Sequence, residues 1–215
     1  GVAPPARAPG APALSRGNLG VGPKTAVAAG GSTQSTTTAG GIVTDGGAAG
    51  SDLGPVRPIG VVHSPFRSAA ETPVQPAWAG PEAAGSIEVY QEYADGLHDL
   101  DGFERIWVVS WFHRAGPSHL RVIPYLDRVE RGLFATRAPA RPNPIGISAV
   151  RLLGREGRFL HVGQLDLIDG TPVLDLKPYA AAFDAFPAGR EGWLEGHAPG
   201  DGRADGRFEA GPAIL

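Results

Sequence analysis

Arg105-Ile106-Trp107-Val108-Val109-Ser110-Trp111-Phe112-His113 decides the fold. Its large apolar side chains leave neither face polar, which predicts a strand in a central position. Toward the N-terminus, residues 94–103 space Leu97, Leu100 and Phe103 three apart, a short helical turn. Residues 86–93 alternate Ile87, Val89 and Gln91 against Glu88, Tyr90 and Glu92, a second strand. Residues 57–66 form another, with Ile59, Val61 and His63 on one side, Val62 and Ser64 on the other, and Pro65 as its stop. A polar, proline-rich loop over 71–81, containing Gln75 and Trp78, joins those two.

Toward the C-terminus, residues 120–126 are a strand candidate weakened by Pro124, and Leu133, Phe134 and Ala135 a short apolar strand. Strands over 145–153 and 159–167 flank a turn at 154–157. Asp169-Gly170 is a tight-turn dipeptide, and residues 173–176 make a last strand ended by Pro178. About seven short strands with turn signals and little helix predict an all-β fold, a sandwich or a barrel. Residues 1–54 are Gly, Ala, Pro, Ser and Thr with no periodicity, and read as a disordered low-complexity tail. The folded domain is expected over 55–186, with 187–215 a loose extension on which Trp193 and Leu194 dock.

Composition excludes several functions. The 215 residues include no Cys, so disulfides, thiolate catalysis and Cys-ligated zinc are ruled out. No apolar run approaches the ~20 residues of a membrane helix. The opening Gly-Val-Ala-Pro-Pro has neither a charged start nor an apolar core, so it is not a signal peptide, and a soluble cytoplasmic protein is the expectation. Of 19 basic and 22 acidic residues, three (Arg7, Arg16, Lys24) and one (Asp45) fall in 1–50, leaving 16 and 21, a net −5 beyond. Any nucleic-acid contact must therefore rest on a local patch. The six histidines show no paired ligand spacing, so no metal site is expected. There is no Gly-x-Ser-x-Gly.

Two polar clusters remain. Residues 133–146 carry Pro139, Pro142 and Pro144, which fix their own φ and push Ala138, Arg141 and Asn143 toward extended backbone. The loop either holds Arg137, Arg141 and Asn143 in one pose for a polar ligand or is a stiff structural bend. The second cluster is Asp169, Asp175, Lys177, Tyr179 and Asp184. His63 and His113 each end a predicted strand, where a barrel could bring them to one rim.

Four blocks carry a family resemblance. They are Pro58-Ile59-Gly60-Val61-Val62-His63-Ser64-Pro65-Phe66; Glu92-Tyr93-Ala94-Asp95-Gly96-Leu97 through Trp111-Phe112-His113; Phe134-Ala135-Thr136-Arg137-Ala138-Pro139 with Arg141-Pro142-Asn143-Pro144-Ile145-Gly146; and Leu167-Ile168-Asp169-Gly170-Thr171-Pro172-Val173-Leu174-Asp175-Leu176-Lys177-Pro178-Tyr179. In these, from Pro58 to about Asp184, the chain resembles the TrmO/TsaA-like S-adenosylmethionine-dependent methyltransferases, which N6-methylate threonylcarbamoyl-adenosine beside the tRNA anticodon. The resemblance implies a small antiparallel β-barrel with short helical insertions and a homodimer with the cofactor near the subunit interface.

It also implies roles for both clusters. Arg137 or Arg141 would pair with the cofactor's carboxylate, and Asn143, beside Pro144, would read an adenine or ribose edge. Phe112, Tyr179 and loop carbonyls would face the sulfonium, with Lys177 among the cofactor contacts. Asp169, His113 and Asp184, with Tyr179, are the catalytic candidates for moving the acceptor's proton. Two departures stand out. Ala180-Ala181-Ala182 replaces a commonly prolyl stretch, and the chain runs only to Leu215, short of the C-terminal domain of better-known bacterial members. Three functions follow: methylation of tRNA, methylation of a small metabolite or natural product, or non-catalytic cofactor binding.

Overall fold

The computed structural model describes residues 54–197 and 202–210. The low-complexity tail expected over 1–54 lies outside the described residues, apart from Gly54. Eight strands form: β1 (Gly60–His63), β2 (Gly85–Val89), β3 (Arg105–Trp111), β4 (Arg121–Val122), β5 (Arg131–Gly132), β6 (Ile145–Glu156), β7 (Phe159–Gly163) and β8 (Pro172–Pro178). Six of them close an antiparallel barrel in the order β1-β2-β7-β6-β3-β8, while β4 and β5 make a separate two-stranded ribbon. The only α-helix among the described residues is the four-residue α1 (Ala181–Asp184). The all-β barrel with short helical insertions is the expected fold.

Closure depends on β6. Its first half pairs with β3, from Trp111 opposite Ile145 to Arg105 opposite Arg151. Its second half pairs with β7, with a register shift between Leu152 and Gly154. A second shift falls between Val109 and Ser110, where β3 meets β8. Such irregularities bend a short sheet enough to close it. β3, expected to be central, lies between β6 and β8. Ile106, Val108 and Ser110 are buried inside, while Trp107, Val109 and Trp111 are half-buried outside. Trp107 explains the two-sided apolar pattern, since the Tyr179 ring packs 5.4 Å from it and its Nε1–H donates to Asp184 Oδ2 at 3.3 Å.

Inside, Val62, Ile87, Val89, Ile106, Val108, Val150, Leu160, Val162 and Val173 fill the barrel, and Leu97, Leu100, Leu165 and Leu167 join them. A second, smaller core gathers Val122, Leu133, Ala138, Ala140 and Phe208 around Tyr125.

Several elements differ from expectation. Leu133–Ala135 is a 3-10 turn rather than a strand. The reason is local bonding: Thr136 donates both its N–H and its hydroxyl to the Leu133 carbonyl, at 3.0 and 2.8 Å. Residues 120–126 give only the two-residue β4, broken by Pro124. β2 ends at Val89 because the 3-10 stretch Gln91–Leu97 begins there.

The extension beyond Phe186 does not all stay loose. Trp193 Nε1–H donates to the Ala135 carbonyl at 2.7 Å, as its docking required. Residues 202–210 return to the fold and bury Phe208 to 8% exposure. No described helix is long and apolar enough to cross a membrane. Phe208→Ala should destabilise the protein by about 3 kcal/mol in urea unfolding, through lost burial and a residual cavity. A tail that only trails the barrel would give no change.

Candidate functional site

The proline-punctuated loop is held rigid by its own backbone. Arg141 Nη1 donates to the Thr136 carbonyl at 3.0 Å, and its guanidinium lies 5.6 Å from the centre of the Phe134 ring. Ala138 and Ala140 anchor the loop in the second core. At its far end Phe112 N–H donates to the Pro144 carbonyl at 2.7 Å, which ties it to the end of β3. Gly146 then lets β6 approach the end of β3 closely: a methyl there would sit 2.4 Å from Phe112 Cζ and 2.7 Å from Ser110 Oγ.

Between the barrel end and the second core lies a cavity of about 340 Å³. That is within the ~300–1,000 Å³ of small-molecule sites. Phe112, His113 and Arg114 form one wall, Thr136, Arg137, Pro139 and Arg141 a second, and Thr72, Val74 and Gln75 a third. The start of β6 (Ile145, Gly146, Ile147, Ser148) and Asp166, Leu167 and Ile168 line the barrel side. Ala204, Phe208 and Glu209 come from the returning C-terminal segment.

Charge is distributed unevenly around this space. Arg114 donates to the Arg67 carbonyl, Arg137 to the Gln75 side chain, and Arg141 to backbone carbonyls. None of the three pairs with a carboxylate among the described residues. Positive charge therefore lines the cavity without a direct ion pair among the described residues. Burial, then the neighbouring Arg114 charge, hold the His113 pKa below its ordinary value, so the ring is neutral at pH 7. Burial, with Asp205 and Glu209 nearby, pushes Tyr125 upward.

Asp166 is the most perturbed group. Burial pushes its carboxyl up to about 7, against the opposing pulls of the Ser148 hydroxyl, its own backbone N–H and the Arg137 charge. Its Oδ1 is solvent-excluded and has no hydrogen-bond partner, as is also true of Ser110 Oγ. A buried carboxylate oxygen without a partner costs stability and suits a ligand donor.

Of the residues expected at a site, Phe112, His113, Arg137 and Arg141 line this cavity. Asn143 and Pro144 belong to the same loop, and their carbonyls accept from Ile145 and Phe112. Neither of these two lines the cavity, and nor do the remaining four. Asp169 Oδ1 accepts from the Ser64 N–H at 3.0 Å and Oδ2 pairs with Arg67, so it fastens its turn. Lys177 pairs with Asp175 at 2.6 Å. Tyr179 and Asp184 cover Trp107 on the barrel's outer face.

Sequence reasoning passed over Asp166, Ser148, Gln75 and Glu209. Asp166 left one signal: a lone carboxylate between Leu165 and Leu167, both buried at 0% and 2% exposure. The other three left none.

Residues 61–185 match the model of the tRNA-methyltransferase O N-terminal domain. A probable S-adenosyl-L-methionine-binding protein of Pyrococcus abyssi is 48% identical over 71% of this chain and 83% of its own length. A tRNA (adenine(37)-N6)-methyltransferase of Escherichia coli is 35% identical over 60% of this chain, which spans 59% of that protein. The crystal structure of TrmO from Pseudomonas aeruginosa superposes with a TM-score of 0.58 at 38% identity, over 68% of this chain and 65% of that one.

Asp166 should leave a mark on stability. Its folded pKa lies above its unfolded value, so the native state holds the proton after the unfolded chain has lost it. Stability then falls as pH rises from about 4 to 7, by on the order of a few kcal/mol. Asp166→Asn should flatten that window in urea titrations, and a parallel decline in both proteins would refute it.

Proposed function

The chain belongs to the tRNA-methyltransferase O N-terminal domain family, and from that premise we propose that it is an S-adenosylmethionine-dependent methyltransferase acting on adenosine in tRNA. The observation that carries this reading is the cavity beside the proline loop, where Arg114, Arg137 and Arg141 bond only neutral partners. The donor set suits the cofactor. A guanidinium from the loop takes a carboxylate, the Phe112 ring offers a face to a cation, and the Asp166 oxygen accepts from an N–H or O–H.

The bound cofactor supplies an electrophilic methyl on a sulfonium. The chain's own contribution is to orient the reactants and exclude water, since methyl displacement needs no protein nucleophile. An acceptor amine loses a proton on methylation. Neutral His113 lines the cavity with a ring nitrogen able to hold it, and Asp166 is the alternative.

The acceptor we propose is N6 of threonylcarbamoyl-adenosine next to the anticodon. The names of the relatives from Escherichia coli and Mus musculus, each a tRNA (adenine(37)-N6)-methyltransferase, support the base and the atom. The excess of acid beyond residue 50 favours a small-molecule acceptor instead. We also propose a homodimer, supported by Ile145 and Ile147, which border the cavity yet stand 46% and 59% exposed.

Calorimetry with S-adenosylmethionine, followed by transfer of labelled methyl to tRNA, tests the reading. Arg137→Ala should weaken cofactor binding by roughly tenfold or more, the loss of one charged hydrogen-bonding partner. Label should appear in threonylcarbamoyl-adenosine and be absent from tRNA lacking that modification. Cofactor binding with no transfer to tRNA would overturn the tRNA assignment.

A further inference from the structure

Residues 202–210 lie outside the stretch that matches the family model, yet they complete the cavity. They are fastened on both sides. Val74 N–H donates to the Gly202 carbonyl at 2.7 Å, and Ala204 N–H to the Thr72 carbonyl at 2.9 Å. Across the opening, Gly116 N–H donates to the Phe208 carbonyl at 2.8 Å and Ala210 N–H to the Arg114 carbonyl at 2.9 Å. Arg207 pairs with Asp205 at 2.6 Å and reaches the Pro124 carbonyl at 3.1 Å, while Phe208 meets Tyr125 edge-on at 5.1 Å. The segment is a strap tied between the 69–75 loop and the end of β3.

The strap brings one carboxylate to the cavity, that of Glu209. Its Oε1 accepts from the Ala69 N–H at 2.9 Å, which aims the side chain. Glu209 is only partly exposed and forms no ion pair among the described residues. Arg114, Arg137 and Arg141 also line this space and also lack carboxylate partners. A cavity lined by charges of both signs that form no ion pair with one another is complementary to a zwitterion.

Resting on the cofactor reading above, we propose that the strap is part of the cofactor site and that Glu209 recognises a cationic group of the ligand. S-adenosylmethionine offers two, the α-ammonium and the sulfonium, and three ligands separate them. S-adenosylmethionine carries both, S-adenosylhomocysteine only the ammonium, and 5′-methylthioadenosine neither.

Calorimetry on the full chain and its Glu209→Gln variant supplies the test, because glutamine keeps an acceptor for Ala69 and removes the charge. A loss of roughly ten- to a hundredfold is expected for S-adenosylmethionine. If S-adenosylhomocysteine affinity falls equally, Glu209 reads the ammonium; if it is spared, the sulfonium. In both cases 5′-methylthioadenosine binds the variant as it binds the parent. Unchanged affinities, or an equal loss for all three ligands, would overturn the proposal, the latter reducing the strap to a wall. A variant weakened in its fold would show that equal loss, so the comparison remains decisive. Failure of the parent chain to bind S-adenosylmethionine would instead remove the cofactor reading and this inference with it.

Discussion

A six-stranded barrel is too narrow to hold a ligand. Even eight strands leave an interior just wide enough for side chains to fill, and here Val62, Ile87, Ile106, Val108, Val150, Leu160 and Val162 occupy it completely. That constraint forces the site outward. It has to be assembled at one end of the barrel from loops, and those loops need a reason to stay in place. The second core supplies it. Leu133, Ala138 and Ala140 are buried against Phe208, so the loop that presents Arg137 and Arg141 is packed from behind. The cavity is the space left between two cores, and neither core alone would define it.

This arrangement explains a division of labour among the polar residues. Those with matched partners hold the scaffold: Asp169 takes the Ser64 N–H and Arg67, and Asp127 takes Arg131 at 2.7 Å. Around the cavity partnerships are less complete: Asp166 has an unpartnered oxygen, Arg114, Arg137 and Arg141 bond neutral groups, and Glu209 forms no ion pair among the described residues. A folded chain normally satisfies its buried polar groups. The buried Asp166 oxygen is an exception that costs stability, and a ligand that completes it recovers part of that cost.

The barrel could be read from the sequence because strand alternation and turn dipeptides are local signals. β1, β6, β8 and the Asp169-Gly170 turn fell near where the sequence put them, while β7 stops at Gly163, short of the expected 167. The 3-10 turn at Leu133–Ala135 could not be read that way, because the Thr136 hydroxyl that bonds back to Leu133 overrides an apolar run that looks extended. Part of the cavity lining was legible for the same local reason: prolines announce a stiff loop, and Phe112, His113, Arg137 and Arg141 sit on or beside it. The rest depended on tertiary placement. Tyr179 and Asp184 follow β8 closely enough in sequence to look like site residues, yet they belong to the outer face, where Trp107 needs covering. Glu209 lies 140 residues along the chain from Ala69, and nothing local announces their contact.

Asp166 and Asp169 show how far such reading reaches. Both stand in one short segment, and the Asp-Gly pair draws attention to the second. The distinction between them is the company each keeps after folding. Asp169 sits at a turn where a backbone N–H and a guanidinium compensate its charge. Asp166 lies between two leucines that point into the barrel end, where burial outweighs the Ser148 hydroxyl and the distant Arg137. A carboxylate whose two oxygens both have partners has less left to offer a ligand. Asp166 keeps one buried oxygen without a hydrogen-bond partner, beside a cavity walled by the proline loop. Proximity to the turn made Asp169 conspicuous; the absence of a partner is what gives Asp166 something left to bind.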